Sequence, residues 1–404
     1  MSRLAISRSA SAIRASVFAD LAPRIEARVR GGGDLIELHI GDTHRAPPEA
    51  ARFTHIEEPP YDAALYRYGG VAGLEALKEA FVARLAACGH GPRLVDSTRE
   101  VLVACGATHA IFCALRAVLD AGDEVLVAAP YWPLSVGIVR AAGGVPVEVP
   151  LTTALYTDPS LDAAAILEAA LTPATRAVYL TTPNNPDGKV LSEAQLASVA
   201  RLAVARGLWV IADEVYADYV YDGAHTSIAR FDEMAERTVS AYSLSKSHAL
   251  AGVRVGFLVA PERLVAVAKR VATHTVFNVA LAAQRVALAA LQAPAGWLDA
   301  ARREYKDARD ATLRALHGSG ARVFAPEGGS YVFVDFSPIL DGRPMTELLG
   351  YAIDRGVVLA PGEGFGEAFG SWARLCFTSE CPARVLEGVA RLRAAMDDRQ
   401  RSRV

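Results

Sequence analysis

Three features of the sequence predict an α/β fold built on a mostly parallel sheet covered by helices. From about residue 97, short apolar runs alternate with helical segments. The runs are apolar throughout rather than alternating with polar residues, as strands buried on both faces require. Each run also ends in polar, glycine- or proline-bearing residues, where such a sheet opens its ligand-binding crevice.

Taken in order, residues 101–104 form the first predicted strand, and Gly106 turns the chain into an apolar-periodic helix over 108–119. Residues 125–128, 177–181, 209–212 and 239–242 read as further strands, with helices over 161–171 and 193–206 between them. Residues 261–317 are helix-rich, 330–336 and 356–360 read as strands, and 382–397 as a last helix. This order predicts a large domain over 46–300 and a smaller α+β domain over 301–404. An N-terminal arm over 1–45, with a helix over 17–30, completes the small domain.

A chain of 404 residues can bury a core of this kind, and 52% hydrophobic with 22% charged residues is the balance of an ordinary globular protein. A formal net charge of −3 gives no field to draw nucleic acid or anionic lipid. No stretch resembles a membrane span. The five cysteines include no Cys-x-x-Cys pair and no histidine spacing for zinc, so no metal site is expected. Their odd number suggests reduced thiols and a cytoplasmic location. Arg3, Arg8 and Arg14 among serines loosely resemble an organellar presequence, and a mature arm is the preferred reading.

The chemistry gathers where the strands end. Cys105-Gly106-Ala107-Thr108 opens a helix, where free N–H groups and the helix dipole favour a phosphate. Then come Tyr131-Trp132, the rigid turn Pro183-Asn184-Asn185-Pro186-Asp187-Gly188, Asp213-Glu214-Val215-Tyr216, and Ser243-Leu244-Ser245-Lys246. Lys246 lies in a stretch without acidic residues, from 238 to 260, with Arg254 eight positions on. Singly, each residue has an ordinary explanation, a helix cap for the aspartate or a core contact for the aromatics. Together they suit a planar, phosphorylated aromatic aldehyde that a lysine holds covalently. No dinucleotide fingerprint, Walker sequence, zinc-protease motif or nucleophile elbow competes.

With these motifs the chain resembles the class I/II aminotransferases, fold type I enzymes dependent on pyridoxal 5′-phosphate, from about residue 6 to 392. The resemblance implies that Lys246 forms the internal aldimine and serves as acid and base. It implies that Asp213 faces the pyridine nitrogen, and that Tyr216 and Asn185 donate to the phenolic oxygen. Gly106, Ala107, Thr108, Ser243 and Arg254 would hold the phosphate, and Trp132, with Tyr131 as the next choice, would stack on the ring. Arg374 and Gly41, with Asn185, would bind the substrate α-carboxylate. Tyr68 would reach the phosphate of a neighbouring subunit, which implies a homodimer with shared sites.

The expected reaction moves the amino group of an L-amino acid to a 2-oxo acid. A lyase, cyclase or other biosynthetic enzyme of the same fold is the alternative. A DNA-binding regulator with a fused domain of this kind would need a basic head ahead of residue 6, and is not expected. The chain departs from the family pattern at Asp187, where threonine is usual, and at Asp42-Thr43-His44 after Gly41. Thr43 and His44 would lie near the substrate side chain. His248 is expected to pack, and Asn278 matches its family position weakly.

Overall fold

The structure is a computed structural model and describes residues 6–13, 21–56, 62–89 and 95–401. The expected helix over 17–30 is seen as Ala22–Arg30; its predicted first turn, with Arg3 and Arg14, lies outside the described residues.

Thirteen strands are found among the described residues: β1 (Ile36–Glu37), β2 (Val101–Ala104), β3 (Glu124–Ala129), β4 (Val145–Pro150), β5 (Thr175–Thr181), β6 (Trp209–Asp213), β7 (Thr238–Ser243), β8 (Gly256–Val259), β9 (Arg322–Val323), β10 (Tyr331–Asp335), β11 (Val357–Val358), β12 (Ala360–Pro361) and β13 (Trp372–Cys376). Seven make the central sheet, in the order β2-β8-β7-β6-β5-β3-β4. Every strand runs parallel except β8, which is antiparallel to both of its neighbours.

Burial on both faces explains the uniform apolar runs. Along β3, Val125 and Val127 join one cluster, under helix Gly106–Val118, while Leu126 and Ala128 join another, under helix Glu193–Arg206. The second helix starts at a reciprocal capping box, Ser192 with Gln195, and stops at Gly207 in the left-handed region (φ 64°). Its observed limits match the expectation, because both end signals are local. The helix expected over 161–171 spans only Ala163–Glu168, begun by the Asp162 cap.

Strands β1, β4, β8, β9 and β13 were not foreseen. The stretch ahead of β8 carries the Lys246–Arg254 loop, and only pairing with β2 and β7 makes Gly256–Val259 a strand. The strand expected over 356–360 divides into β11, parallel to β1, and β12, at the edge of the four-stranded sheet β12-β13-β10-β9. Pro361 is confined to that edge by its missing N–H. A further core gathers Ile36 and Leu38 with Val332, Leu348, Leu375 and Val389.

The sheet reverses its winding between β3 and β5. Beyond the carboxyl ends of the strands there, a crevice opens.

Candidate active site

The crevice is a cavity of about 340 Å³. Its charged lining, among the described residues, is Asp213, Lys246, Arg254 and Arg374. Three cations and one carboxylate suit a guest that carries several negative charges.

At the end of β2, helix Gly106–Val118 begins without a side-chain cap, so its first N–H groups face the cavity unclaimed. Gly106 has φ 75°, and a Cβ there would lie 2.3 Å from Nη2 of Arg254. A Cβ at Gly256 would lie 2.5 Å from the Ala107 nitrogen. Both glycines are required for the arginine and the helix start to come together. Arg254 itself sits in the left-handed region (φ 61°) and donates from Nη1 to the Ala251 carbonyl at 3.0 Å. Ser243 accepts from the Ser245 N–H at 3.0 Å and donates to the Ser245 hydroxyl at 2.8 Å. Ala107, Thr108, Ser243 and Ser245 all line the cavity beside Arg254.

Trp132 lines the cavity, whereas Tyr131 is buried with its hydroxyl donating to Glu148 at 3.2 Å. After β5, Asn184 is structural, donating to the Pro130 carbonyl at 2.9 Å and to Asp187 at 2.8 Å. Asn185 turns into the cavity and accepts from Nη1 of Arg374 at 2.9 Å. Asp187 is buried in the turn, and burial pushes its pKa up against the donors Thr152 and Asn184. The departure from threonine is thus absorbed by a closed hydrogen-bond set away from the cavity.

Asp213 ends β6, 3% exposed, and accepts from the Tyr179 hydroxyl at 2.8 Å. Burial raises its pKa to about 6, opposed by that hydrogen bond. Its neighbour Glu214 turns away and accepts from Tyr242 at 2.5 Å and Ser227 at 2.7 Å. The Tyr216 hydroxyl meets the Tyr331 hydroxyl at 2.7 Å, with both rings buried. Lys246, on the short helix Leu244–Ser247 after β7, donates from Nζ to the Gly41 carbonyl. Arg374 stands on β13 with its guanidinium 4.2 Å from the Tyr331 ring centroid, and Nη2 donates to the His39 carbonyl at 2.7 Å. Its buried Nε has no partner among the described residues. A Cβ at Gly41 would lie 2.0 Å from the Tyr331 hydroxyl.

Of the residues singled out from sequence, Gly41, Ala107, Thr108, Trp132, Asn185, Asp213, Tyr216, Ser243, Lys246, Arg254 and Arg374 line the cavity, and Gly106 backs Arg254. Tyr68 lies outside it, 87% exposed, edge-on to Phe277 at 5.1 Å. Thr43 and His44 also lie outside. The Thr43 hydroxyl meets that of Tyr305, and His44 bonds Glu304 at 2.7 Å and the Thr378 carbonyl at 3.1 Å. These two residues tie the loop after Gly41 to helix Ala295–Leu316 rather than facing the cavity. His248 is buried against Trp297, ring centroids 5.7 Å apart, and burial lowers its pKa to about 4. Asn278 donates to the Val279 carbonyl at 2.9 Å.

Leu134, Thr181, Ala251 and Tyr331 line the cavity without having been foreseen, and Val215 and Ser245, present in the strand-end motifs but given no role, line it too. Ser245 stood inside the quoted motif, one residue before the lysine. Tyr331 gave no local signal, because only the pairing of β10 with β13 sets it under Arg374.

The group required by the resemblance fits this lining. The close approach of Gly106, Gly256 and Arg254 makes a cradle for a phosphate, and a buried carboxylate reluctant to ionise alone suits a cationic ring nitrogen. The partnerless Nε of Arg374 leaves a donor for a carboxylate.

Comparison with known proteins gives concordant results. The family model described as aminotransferase class I and II matches residues 34–392. The arginine–pyruvate transaminase AruH of Pseudomonas aeruginosa is 34% identical over 365 residues, 88% of each chain. The aspartate/prephenate aminotransferase of Thermus thermophilus is 32% identical over 374 residues, 90% of this chain and 92% of the relative. Among solved structures, Thermus thermophilus aspartate aminotransferase with maleate superposes with a TM-score of 0.87 at 28% identity, covering 97% of this chain and 100% of the other.

Proposed function

Since this chain belongs to the class I and II aminotransferases and is an enzyme of that kind, we propose that it works with pyridoxal 5′-phosphate in the cavity around Lys246, moving the amino group of an L-amino acid to a 2-oxo acid. One observation carries this reading: Lys246, Asp213, Arg254 and Arg374, from four separate segments of the chain, meet in a single cavity.

When bound, the cofactor supplies an electron-accepting ring for the electron pair released at the amino acid Cα. Lys246 Nζ would anchor the cofactor and serve as the base that takes the donor's Cα proton and, in the second half-reaction, as the acid that gives a proton to the Cα of the acceptor. Asp213 would hold a proton on the ring nitrogen. Tyr216 and Asn185 would donate to the phenolic oxygen, and Trp132 would cover the ring and exclude water from it. Arg254, Ser243 and the start of helix Gly106–Val118, with Gly106, Ala107 and Thr108, hold the phosphate. Arg374 binds the α-carboxylate beside Gly41, so that Cα sits within reach of the lysine.

Tyr68 belongs in this scheme to a neighbouring subunit's phosphate site. Its exposure, with Phe277 and Tyr66 also exposed, supports a homodimer. The division into an arm over 1–45, a large domain over 46–300 and a small domain over 301–404 is proposed with it. The packing of Ile36 and Leu38 among residues 332–396 supports that division. No helix among the described residues is long and apolar enough to cross a membrane. A cytoplasmic location is proposed from the five unpaired thiols.

The test is spectroscopic and then chemical. Protein loaded with the cofactor should show a visible band that borohydride reduces onto Lys246, and Lys246→Ala should show none. The relatives are named for arginine, aspartate, prephenate and aromatic amino acids, so a panel of donors with pyruvate and 2-oxoglutarate should identify the substrate. Ammonia or a cyclic product without a new amino acid would refute amino transfer.

A further inference from the structure

One side chain makes a close hydrogen bond to the Asp213 carboxylate among the described residues. Tyr179, on β5, donates to Oδ2 at 2.8 Å, while the Val215 N–H reaches Oδ1 only at 3.4 Å. Register explains the contact. Tyr179 pairs with Ile211 and Thr181 with Asp213, so the tyrosine and the aspartate share one face of the sheet. The ring is 1% exposed, packed in the cluster beneath helix Gly106–Val118. The hydroxyl therefore points away from bulk water and towards the end of β6. Phenylalanine would fill this core position equally well, so what the hydroxyl adds is its hydrogen bonding to Asp213 and to Thr181.

We propose that Tyr179 is a positioning residue for the cofactor, its hydroxyl fixing the Asp213 carboxylate in the orientation and charge state that hold a protonated ring nitrogen. The proposal rests on the reading of the cavity as a pyridoxal 5′-phosphate site. Its physical basis is a competition: burial opposes ionisation of Asp213, and the tyrosine hydrogen bond is the largest influence acting the other way. Without the hydroxyl the carboxyl keeps its proton more readily and is free to turn.

A comparison within the same chain separates positioning from mere support. The Tyr242 hydroxyl donates to Glu214 at 2.5 Å, a buried tyrosine–carboxylate bond one residue further along, on a carboxylate that does not line the cavity. Tyr179→Phe and Tyr242→Phe each remove one such bond without changing side-chain volume.

The experiment titrates the apoprotein of wild type and both variants with pyridoxal 5′-phosphate, followed by fluorescence quenching. The ring-nitrogen resonance of isotope-labelled cofactor is then recorded by NMR. Tyr179→Phe should bind about ten-fold more weakly or worse, as loss of a hydrogen bond to a charged group predicts. Its resonance should move towards that of unprotonated pyridine, while Tyr242→Phe should leave both readings as in wild type. Affinity within about two-fold of wild type and an unmoved resonance in Tyr179→Phe overturn the proposal, as does an equal change in Tyr242→Phe. Wild-type protein that gives no borohydride-stable adduct at Lys246 sinks the reading of the cavity, and this proposal with it. A wild type that gives the adduct while Tyr179→Phe matches its affinity and its ring-nitrogen resonance sinks this proposal alone.

Discussion

The Asp213 carboxylate joins stability to function at the scale of a single residue. Its pKa rises on folding from 3.8 to about 6, chiefly through burial. A carboxyl that holds its proton more tightly when folded makes folding less favourable as pH rises through that window. Asp213 therefore costs the apoprotein stability progressively between about pH 4 and pH 6, and the full cost, about 3 kcal/mol, stands at higher pH. Asp213→Asn should raise the urea midpoint of the apoprotein at pH 8 and leave it nearly unchanged at pH 4, while weakening the hold on pyridoxal 5′-phosphate. A midpoint at pH 8 equal to or below that of wild type would count against this account. The residue type and its place after an apolar strand were legible in the sequence. The partner Tyr179 was not, because its contact crosses between strands 34 positions apart.

At the scale of elements, the proposed phosphate cradle is a junction where a helix start closes on the Arg254 side chain. Gly106→Ala puts a methyl group where Nη2 of Arg254 now lies, 2.3 Å from the Cβ position, and at φ 75°. The variant should fold, yet retain the cofactor about ten-fold less well or worse, as measured by equilibrium dialysis. Ser192→Ala should do the reverse. Losing the cap on helix Glu193–Arg206 should cost about 1 kcal/mol in denaturant titration and leave turnover at the wild-type rate. Element legibility divides along the same line. Helix Glu193–Arg206 carries its own start and stop signals, and its limits are readable from local sequence. Strands β8 and β13 owe their state to partners far away in the chain, and β13 nevertheless delivers Arg374 to the cavity.

The whole molecule sets the test of the shared-site proposal. Tyr68 stands outside the cavity of its own chain, exposed beside Phe277. If a neighbour's tyrosine completes each site, then Tyr68→Ala and Lys246→Ala are defects in different chains of one site. Mixing the two inactive proteins under conditions that exchange subunits should restore activity towards about one quarter of wild type, since half of the dimers are hybrids and each hybrid has one intact site. No recovery, with exchange verified by mass, would refute shared sites. The sequence by itself determined the layered α/β architecture, the strand-end motifs and the lysine, aspartate and arginines of the cavity. Apolar runs, caps and glycine turns are short-range signals that carry their physics with them. Only the tertiary structure decided that Trp132 rather than Tyr131 faces the cavity, that Thr43 and His44 brace helix Ala295–Leu316 instead, and that Tyr179 and Tyr331 stand behind Asp213 and Arg374. Strand register and the packing of distant segments fix those choices, and neither is written in any local stretch of residues.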